Sequence, residues 1–281
     1  MTVLVTGGRG SVARGVVAGL LAAGVPVRLS GREPEALSPP EGVETALVDL
    51  ARPETLPPAL AGVDRVFLYA EPSGVDAFVA AATDAGVEQV VVLSSSSVLE
   101  SGPNRIGDNH RAVEDAVRAA GFASTMLRPG GFDGNARQWL PAILGDGVVR
   151  LPYPESGDAS IDERDIADTA VVVLLAGPGG PHDGTAPQLT GPASLTRREQ
   201  VEQLAAALGR EVRIEPVAPD DTRAFLAASM PEFVVDSLLP HWAAADGLPA
   251  TVTDSVETIT GRPARTFATW AREVATPLAV R

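Results

Sequence analysis

Residues 2–21, which read TVLVTGGRGSVARGVVAGLL, decide the fold of this 281-residue chain. The aliphatic and β-branched run at residues 2–5 is too short for a helix and predicts a buried strand. Three glycines follow within four positions, and the residues after them have helical periodicity. A strand that ends in glycines and leads into the positive end of a helix forms an anion site from backbone N–H groups. Such a site binds the pyrophosphate of a dinucleotide, so the stretch predicts a nicotinamide-cofactor protein.

Composition limits the other function classes. The chain is 45% hydrophobic and 21% charged, as is usual for a soluble globular protein, and its formal net charge is −14. A charge of this sign repels nucleic-acid phosphates and anionic membrane surfaces, so neither partner is expected. The chain contains no cysteine, which excludes disulfides and thiolate chemistry, and no signal or membrane-spanning segment is recognised. We therefore expect a cytoplasmic protein.

All 22 basic residues are arginine, and no lysine occurs in the sequence. Enrichment in Ala, Gly and Pro accompanies this bias, which is typical of a GC-rich genome. Its chemical consequence is that no lysine-dependent mechanism operates in this chain.

The first half alternates short apolar runs with helical segments. Strands are predicted at residues 2–5, 25–30, 43–48, 65–69, 89–94 and 125–127, and helices at 11–21, 73–85 and 109–120. This alternation is typical of a doubly wound parallel sheet with right-handed crossovers.

Beyond Pro129 the pattern is looser. Helices are predicted near 136–144 and at 161–175 and 194–208, strands at 186–190 and 211–217, and mainly helix thereafter. In the helix at 194–208, Ser194 is the predicted cap, and Arg197 and Arg198 are predicted on its polar side. We predict an α/β fold in which residues 1–150 form a Rossmann-type NADP(H)-binding domain, with late elements from about 160–192. Residues 193–281 form a smaller, mainly helical, substrate-binding region.

The glycine pattern is Gly7-x-x-Gly10-x-x-Ala13. The first glycine allows the tight turn, the second allows the backbone to approach the pyrophosphate, and Ala13 is small enough for close helix–strand packing. Ser11 and Val12 begin the helix. The position of the pattern directly after a strand is the context that such a motif requires.

Cofactor preference is indicated by the end of the second predicted strand. NAD sites usually carry Asp or Glu there, whereas this chain has Arg32, which offers a bidentate fork for a 2′-phosphate. Arg9 can approach the same phosphate from the glycine loop, so NADP(H) is predicted over NAD(H). The alternative is that these arginines are solvated, or that Arg32 pairs with Glu33 or Glu35. Asp49, followed by Leu50, either accepts from the adenine amino group or caps the turn before Pro53.

Six segments occur in an order that resembles one known family. They read TGGRGSVA at 6–13, HxxxE at 110–114, TMLRPGGF at 125–132, IDxRDIAD at 161–168, LTGP at 189–192 and GRPxRTF at 261–267. This succession, which spans essentially the whole chain, resembles the NmrA-like group of atypical short-chain dehydrogenases/reductases. That group includes quinone reductases and triphenylmethane reductase.

The resemblance implies roles for several positions. The 7–12 loop would bind the pyrophosphate and Arg32 the 2′-phosphate. Ser94 and Ser95 would line the nicotinamide ribose, Pro129 and Gly130 would contact the carboxamide through backbone, and Tyr69 with Ala70, Glu71 and Pro72 would run beneath the cofactor. All of these positions follow predicted parallel strands, where ligands bind in doubly wound sheets.

The chain departs from the wider superfamily at the catalytic pair. Short-chain dehydrogenases use Tyr-x-x-x-Lys, but this chain has no lysine and its tyrosines are Tyr69 and Tyr153. Asn109 and His110 occupy the predicted start of the helix instead. His110 either bonds the nicotinamide ribose, donates a proton, or only packs and pairs with Glu114. No His, Asp or Glu triplet has metal-ligand spacing.

These observations predict an NADPH-dependent reductase that passes hydride to a flat, electron-poor acceptor such as a quinone, enone, imine or aromatic polyketide-type ketone. The alternatives are a non-catalytic NADP(H) sensor and, less favoured, an isomerase or epimerase. The protein is expected to be a monomer or homodimer. Seven residues are candidates for the substrate pocket, although about half of the aromatic and Met candidates are expected to be core: Glu71, Phe132, Trp139, Tyr153, Met230, Phe233 and Trp242.

Overall fold

A computed structural model describes residues 1–101, 104–227 and 230–277, with Pro219 and Phe225 described as backbone only. Seven strands form one parallel sheet in the order β3-β2-β1-β4-β5-β6-β9. Their bounds are β1 Val3–Val5, β2 Val27–Gly31, β3 Glu44–Leu47, β4 Arg65–Tyr69, β5 Gln89–Leu93, β6 Ala123–Pro129 and β9 Gln188–Leu189. The order reverses between β1 and β4, as in a doubly wound fold, so the predicted fold class is confirmed.

The central strands are apolar because helices cover both faces of the sheet. Every residue of β5 is buried, and its register pairs Val91 with Phe67 of β4 and with Thr125 of β6. The described residues in the first two thirds of the chain form six α-helices and four 3₁₀ turns. The helices are α1 Ser11–Ala22, α2 Leu56–Leu60, α3 Val75–Asp84, α4 Arg105–Ala119, α5 Leu140–Leu144 and α6 Glu163–Ala176, and the 3₁₀ turns are at Pro34–Ala36, Pro53–Thr55, Ser96–Leu99 and Asp133–Trp139. The uninterrupted burial of β5 is typical of a parallel strand that is covered on both faces.

Helices α1 and α6 share one face of the sheet and approach each other closely. A Cβ placed on Gly15 of α1 would lie 2.6 Å from Ala167 Cβ, and one on Gly19 would lie 2.8 Å from Val171 Cγ2. Real Cβ atoms do not approach so closely, so a larger residue at either position would force the helices or the facing side chains to shift. Helices α2, α3 and α4 supply the core on the opposite face.

The C-terminal region is built partly from residues that precede it. Its elements are β7 Val148–Leu151, β8 Gly157–Asp158, β10 Leu195–Thr196, α7 Arg197–Ala207, β11 Arg213–Pro216, α8 Pro219–Ala227, α9 Glu232–Ala244, α10 Ser255–Thr260 and α11 Phe267–Ala275. Strand β11 pairs in parallel with β7, and β10 pairs antiparallel with β8. One apolar cluster joins Trp139, Ile143 and Leu151 to residues of α7 and α11. Residues 136–151 therefore pack with the C-terminal region.

Three local predictions are wrong. Helix α7 is capped by Thr196, not Ser194, because Thr196 and Glu199 form a capping box. Helix α4 begins at Arg105, capped by Asn104, so His110 lies beyond its first turn. Arg197 is buried instead of lying on a polar face. Within the described residues, no helix is long and apolar enough to cross a membrane.

Candidate cofactor and active site

The carboxyl ends of β1, β2, β4, β5 and β6 meet at one edge of the sheet, and α1 begins there. Ligands of doubly wound folds bind at this edge, outside the point where strand order reverses. The predicted site residues that follow these strands are brought to the same edge. The sequence could place them there because strand order and strand direction follow from the βα alternation.

The glycine loop has the geometry of an anion site. Gly7 has φ +71, and the N–H of Gly10 donates to the carbonyl of Gly7 at 2.8 Å. A Cβ on Gly8 would lie 2.9 Å from the carbonyl oxygen of Ser30. Gly10 is the N-cap of α1, and no side chain caps the helix. The first N–H groups of α1 are thus left for a ligand, and the loop fits a pyrophosphate.

The end of β2 lies beside this loop. The N–H of Gly8 donates to the carbonyl of Ser30 at 3.0 Å, and the Arg9 guanidinium forms a salt bridge with Glu33. Both side chains of this pair are about three-fifths exposed, at 62% and 60%. Arg32 is exposed, and no ion pair joins it to another described residue. Of the alternatives given above, Arg32 is thus solvated in this structure, and among the described residues it pairs with neither Glu33 nor Glu35.

Asp49 makes its hydrogen bonds within its own turn. Its Oδ1 accepts from the N–H of Ala51 at 3.1 Å, and its own N–H donates to Thr55 Oγ1. This is the turn-capping role given above as the alternative to an adenine contact. The next residue, Leu50, presents its carbonyl to Gly74, where a Cβ would lie 1.8 Å from the oxygen.

Tyr69 lies over the glycine loop at the end of β4. It is 57% exposed, and its Cβ would lie 3.3 Å from a Cβ on Gly7. Its N–H donates to Thr6 Oγ1 at 2.7 Å, which joins β4 to the end of β1. Ala70 is half-buried, and Glu71 is exposed and accepts hydrogen bonds from Ser73.

The hydroxyl of Ser94 is bonded to a buried carboxylate. It is 4% exposed, and its hydroxyl donates at 2.6 Å to Glu114, a carboxylate that is fully buried. Arg128 binds the same carboxylate through Nε at 2.9 Å and Nη2 at 2.5 Å, and Arg118 adds a contact at 2.9 Å. Burial would raise the pKa of Glu114, but the hydrogen bonds from Arg128 and Ser94 and the two guanidinium charges lower it. Ser94 therefore has only lone pairs to offer a ligand.

The neighbouring serines differ in their orientation. Ser95 caps the 3₁₀ turn by accepting from the N–H of Ser97 at 3.1 Å. Ser96, which the sequence did not single out, has its hydroxyl oxygen 3.7 Å from the position of a Cβ on Gly130. Gly130 follows the buried Pro129 and donates its N–H to the carbonyl of Leu189.

His110 does not pair with Glu114. Its Nδ1 lies 2.8 Å from the carbonyl oxygen of Ile106, which makes Nδ1 the protonated nitrogen of the neutral ring. Nε2 then carries a lone pair and accepts hydrogen bonds. His110 donates from Nε2 only as the imidazolium.

The predicted pocket side chains lie in different environments. Trp139 belongs to the apolar core of the C-terminal region, and Phe132 packs against the sheet core. Met230 and Trp242 pack on a small cluster formed by α8 and α9. Phe233 lies under the guanidinium of Arg105. Tyr153 has a φ of 45, which is rare for a residue with a side chain.

Two charged residues that sequence reasoning missed lie beyond Gly131. A Cβ on Gly131 would be 2.7 Å from Asp158 Oδ2, and Asp158 interacts electrostatically with Arg197. The guanidinium carbon of Arg197 lies 3.5 Å from the centroid of the Trp242 ring. Two consecutive arginines at the start of a helix point about 100° apart, and the sequence does not show which of them lies toward the core.

Asp133 completes a buried polar network. It is 1% exposed, and Ser160 donates to its Oδ1 at 2.6 Å, while Gln200 donates to Ser160 at 3.2 Å. Burial raises the pKa of Asp133 to about 7, in spite of the Ser160 hydrogen bond and with the help of nearby carboxylates. Burial also raises the pKa of Asp158.

Comparison with known proteins agrees with this fold and with the binding of a nicotinamide cofactor. A family model described as NAD(P)H-binding matches residues 7–176. The chain is 39% identical over 277 residues to a (4-alkanoyl-5-oxo-2,5-dihydrofuran-3-yl)methyl phosphate reductase of Streptomyces griseus, covering 96% of this chain and 97% of the relative. It is 36% identical over 280 residues to an NAD(P)H azoreductase of Xenophilus azovorans, covering 96% of both. Triphenylmethane reductase of Citrobacter sp., solved with NADP(H), superposes with a TM-score of 0.80 at 23% identity, covering 98% of this chain and 100% of that one.

Proposed function

The chain belongs to the NAD(P)H-binding, NmrA-like family of atypical short-chain dehydrogenases/reductases, and from this premise we propose that it is an NADPH-dependent reductase of flat, electron-poor acceptors. The observation that carries the proposal is the glycine loop at the uncapped start of α1, next to a β2 end that has arginine in place of a carboxylate. Both features suit a phosphorylated dinucleotide.

The preference for NADPH is supported by Arg32. Its exposed guanidinium, free of ion pairs with other described residues, is available to bind a 2′-phosphate through two parallel hydrogen bonds. Arg9 can join it by leaving Glu33. Charge-assisted hydrogen bonds of this kind are worth about 1.5–3 kcal/mol, which corresponds to about tenfold to a hundredfold in affinity.

The acceptor class is supported by the names of the relatives. A 4-alkanoyl-5-oxo-2,5-dihydrofuran has a ring double bond conjugated with two carbonyl groups, and the substrate of an azoreductase contains an N=N bond. Both are planar double bonds poor in electrons. A conjugated enone-type or azo compound is therefore the proposed acceptor, with quinones as a related class.

In the proposed mechanism, bound NADPH supplies a hydride, and the side chains bind, orient and exclude water. The glycine loop would hold the pyrophosphate, Arg32 would hold the 2′-phosphate, and the backbone at Pro129–Gly130 would contact the carboxamide. Ser94 would accept a hydrogen bond from the ribose, because its own proton is donated to Glu114. Delocalised acceptors need little acid catalysis, which suits a chain without a Tyr-x-x-x-Lys pair.

The experiment follows NADPH absorbance with purified protein and a panel of an azo dye, a quinone and an acylated butenolide. Turnover with at least one of these, with NADPH favoured over NADH, is expected. Arg32→Ala should weaken NADPH binding by about tenfold to a hundredfold and leave NADH binding unchanged. Tight NADPH binding without consumption of any acceptor would instead indicate a redox sensor, and equal losses for both coenzymes would refute the assigned role of Arg32.

A further inference from the structure

Arg197 is a buried cation, which is unusual for a surface-type residue at the first position of a helix. It is 5% exposed, and its guanidinium carbon lies over the Trp242 indole, 3.5 Å from the ring centroid. A contact of this kind favours the cation through the negative face of the ring. The N–H groups at its edge stay in the plane and are not used by the ring.

At that edge the Arg197 side chain lacks a hydrogen-bond partner. Nη1 is buried and bonds to no atom of the described chain. Burial lowers the pKa of Arg197 to about 10, and the charge of Asp158 opposes this shift. By contrast, the guanidinium of Arg128 binds the carboxylate of Glu114 through two nitrogens. Buried donors are nearly always paired, so the unpaired Nη1 suits an acceptor from outside the chain.

The fold sets this cation close to the candidate active site. Strand β10 pairs Leu195 with Asp158 of β8, which brings the start of α7 alongside Asp158. Asp158 in turn contacts Gly131, one residue beyond the Gly130 backbone that is assigned to the cofactor. Burial raises the pKa of Asp158, and the charge of Arg197 opposes this shift.

We propose that Arg197 binds an oxyanion of the acceptor, a carboxylate or a phosphate, through its unpaired Nη1, and so selects acceptors that carry such a group. This inference rests on the proposed reductase function and deepens it, because it names the chemical class of substrate. A guanidinium presents two parallel N–H donors that match the oxygens of either group.

The first test compares two azo dyes of the same shape, methyl red, which carries a carboxylate, and its methyl ester, which does not. The wild-type protein should reduce methyl red with a kcat/KM about tenfold to a hundredfold higher than the ester. Arg197→Met, which keeps the length and apolar volume of the side chain, should remove the difference by lowering the rate with methyl red alone. Arg198→Gln is the matched control, since Arg198 is the half-buried neighbour paired with Glu155 at 2.8 Å.

The second test measures binding without turnover. Benzoate, phenyl phosphate and inorganic phosphate are titrated into protein saturated with NADP⁺, so that the cofactor's own phosphate site is filled, and tryptophan fluorescence is recorded. A saturable change is expected in the wild type and in Arg198→Gln, and is expected to disappear in Trp242→Phe and Arg197→Met. The better of the first two ligands identifies the preferred oxyanion.

The outcomes separate the two proposals. Equal kcat/KM for the two dyes, or a preference that survives in Arg197→Met, overturns the role of Arg197 but leaves the reductase function intact. If no dye, quinone or butenolide is reduced, the reductase function fails, and the titration still decides whether the anion site exists. Replacement of a buried charge by an apolar residue of similar size is commonly tolerated, so Arg197→Met should remain folded. If it does not fold, absence of any fluorescence change in the wild type refutes the site.

Discussion

The guanidinium of Arg9 and the carboxylate of Glu33 form a salt bridge that joins the glycine loop to the segment after β2. This pair lies where a 2′-phosphate would be bound if the cofactor is NADPH. Glu33 would then compete with the cofactor for Arg9, while Arg32 has no such competitor among the described residues.

Glu33→Gln should strengthen NADPH binding about twofold to fivefold, because an exposed ion pair of modest strength no longer has to be broken. NADH binding should not change, since NADH lacks the phosphate. Calorimetry with both coenzymes measures this, and Glu35→Gln, which removes a neighbouring charge, is the control. A weaker NADPH affinity in Glu33→Gln would show that the salt bridge preorganises the loop.

Glu114→Ala should destabilise the protein by about 3–5 kcal/mol, because it leaves the Arg128 guanidinium without its buried partner. Glu114→Gln should cost less, since its amide oxygen still accepts a hydrogen bond. Chemical denaturation measures both, and Asp115→Asn, an exposed neighbour on the same helix, should be close to neutral.

The Glu114 carboxylate also makes the free energy of unfolding depend on pH. The pKa of Glu114 is lowered in the folded protein, so its contribution is present above the unfolded value of about 4.3 and is lost as the pH falls further. Glu114→Gln should therefore lose less stability than the wild type on acidification. Equal losses in the two proteins would contradict this assignment.

Asp133 should make the free energy of unfolding depend on pH in the opposite direction. Its pKa is raised to about 7 in the folded protein, whereas an unfolded aspartate has a value of about 3.9. The folded state therefore binds the extra proton between these values, and the free energy of unfolding falls as the pH rises from about 4 to 7. Asp133→Asn should flatten the profile in this window and should be more stable than the wild type above it, by up to a few kcal/mol. Denaturation at a series of pH values tests this, with the exposed Asp84→Asn as control.

Gly15→Ala should destabilise the protein by about 1–3 kcal/mol, although alanine favours helices, because its Cβ would overlap Ala167 of α6. Ala167→Gly removes the opposing atom and should restore most of the lost stability in the double variant. A double-mutant cycle of unfolding free energies measures the coupling. Additive effects would mean that α1 and α6 move apart easily.

The sequence predicted best those elements whose burial leaves a continuous apolar pattern. The strand predicted at 65–69 coincides with β4, and the run at 89–94 differs from β5 by one residue, because both are covered on two faces. Strands β8 and β10 have two residues each, and they carry no periodic signal. Their pairing depends on contacts far apart in the chain.

In the candidate site, too, residues positioned by local sequence were predicted and residues positioned by long-range contacts were not. The glycine loop and Arg32 were predicted from local spacing, because backbone turns and a strand end determine their positions. Asp158 and Arg197 were missed, since their relation to Gly131 arises from a long-range strand pair. The inward direction of Ser94 could not be read either, because it depends on Glu114 from the following helix.

The shared core of the C-terminal region limits how acceptor specificity can be transplanted between relatives. Residues 136–151 supply Trp139, Ile143 and strand β7 to a core otherwise formed after residue 195. A chimera that exchanges only the tail would set new side chains of α7 and α11 against an old surface and leave voids or clashes. Successful grafting would require both segments to come from the same donor.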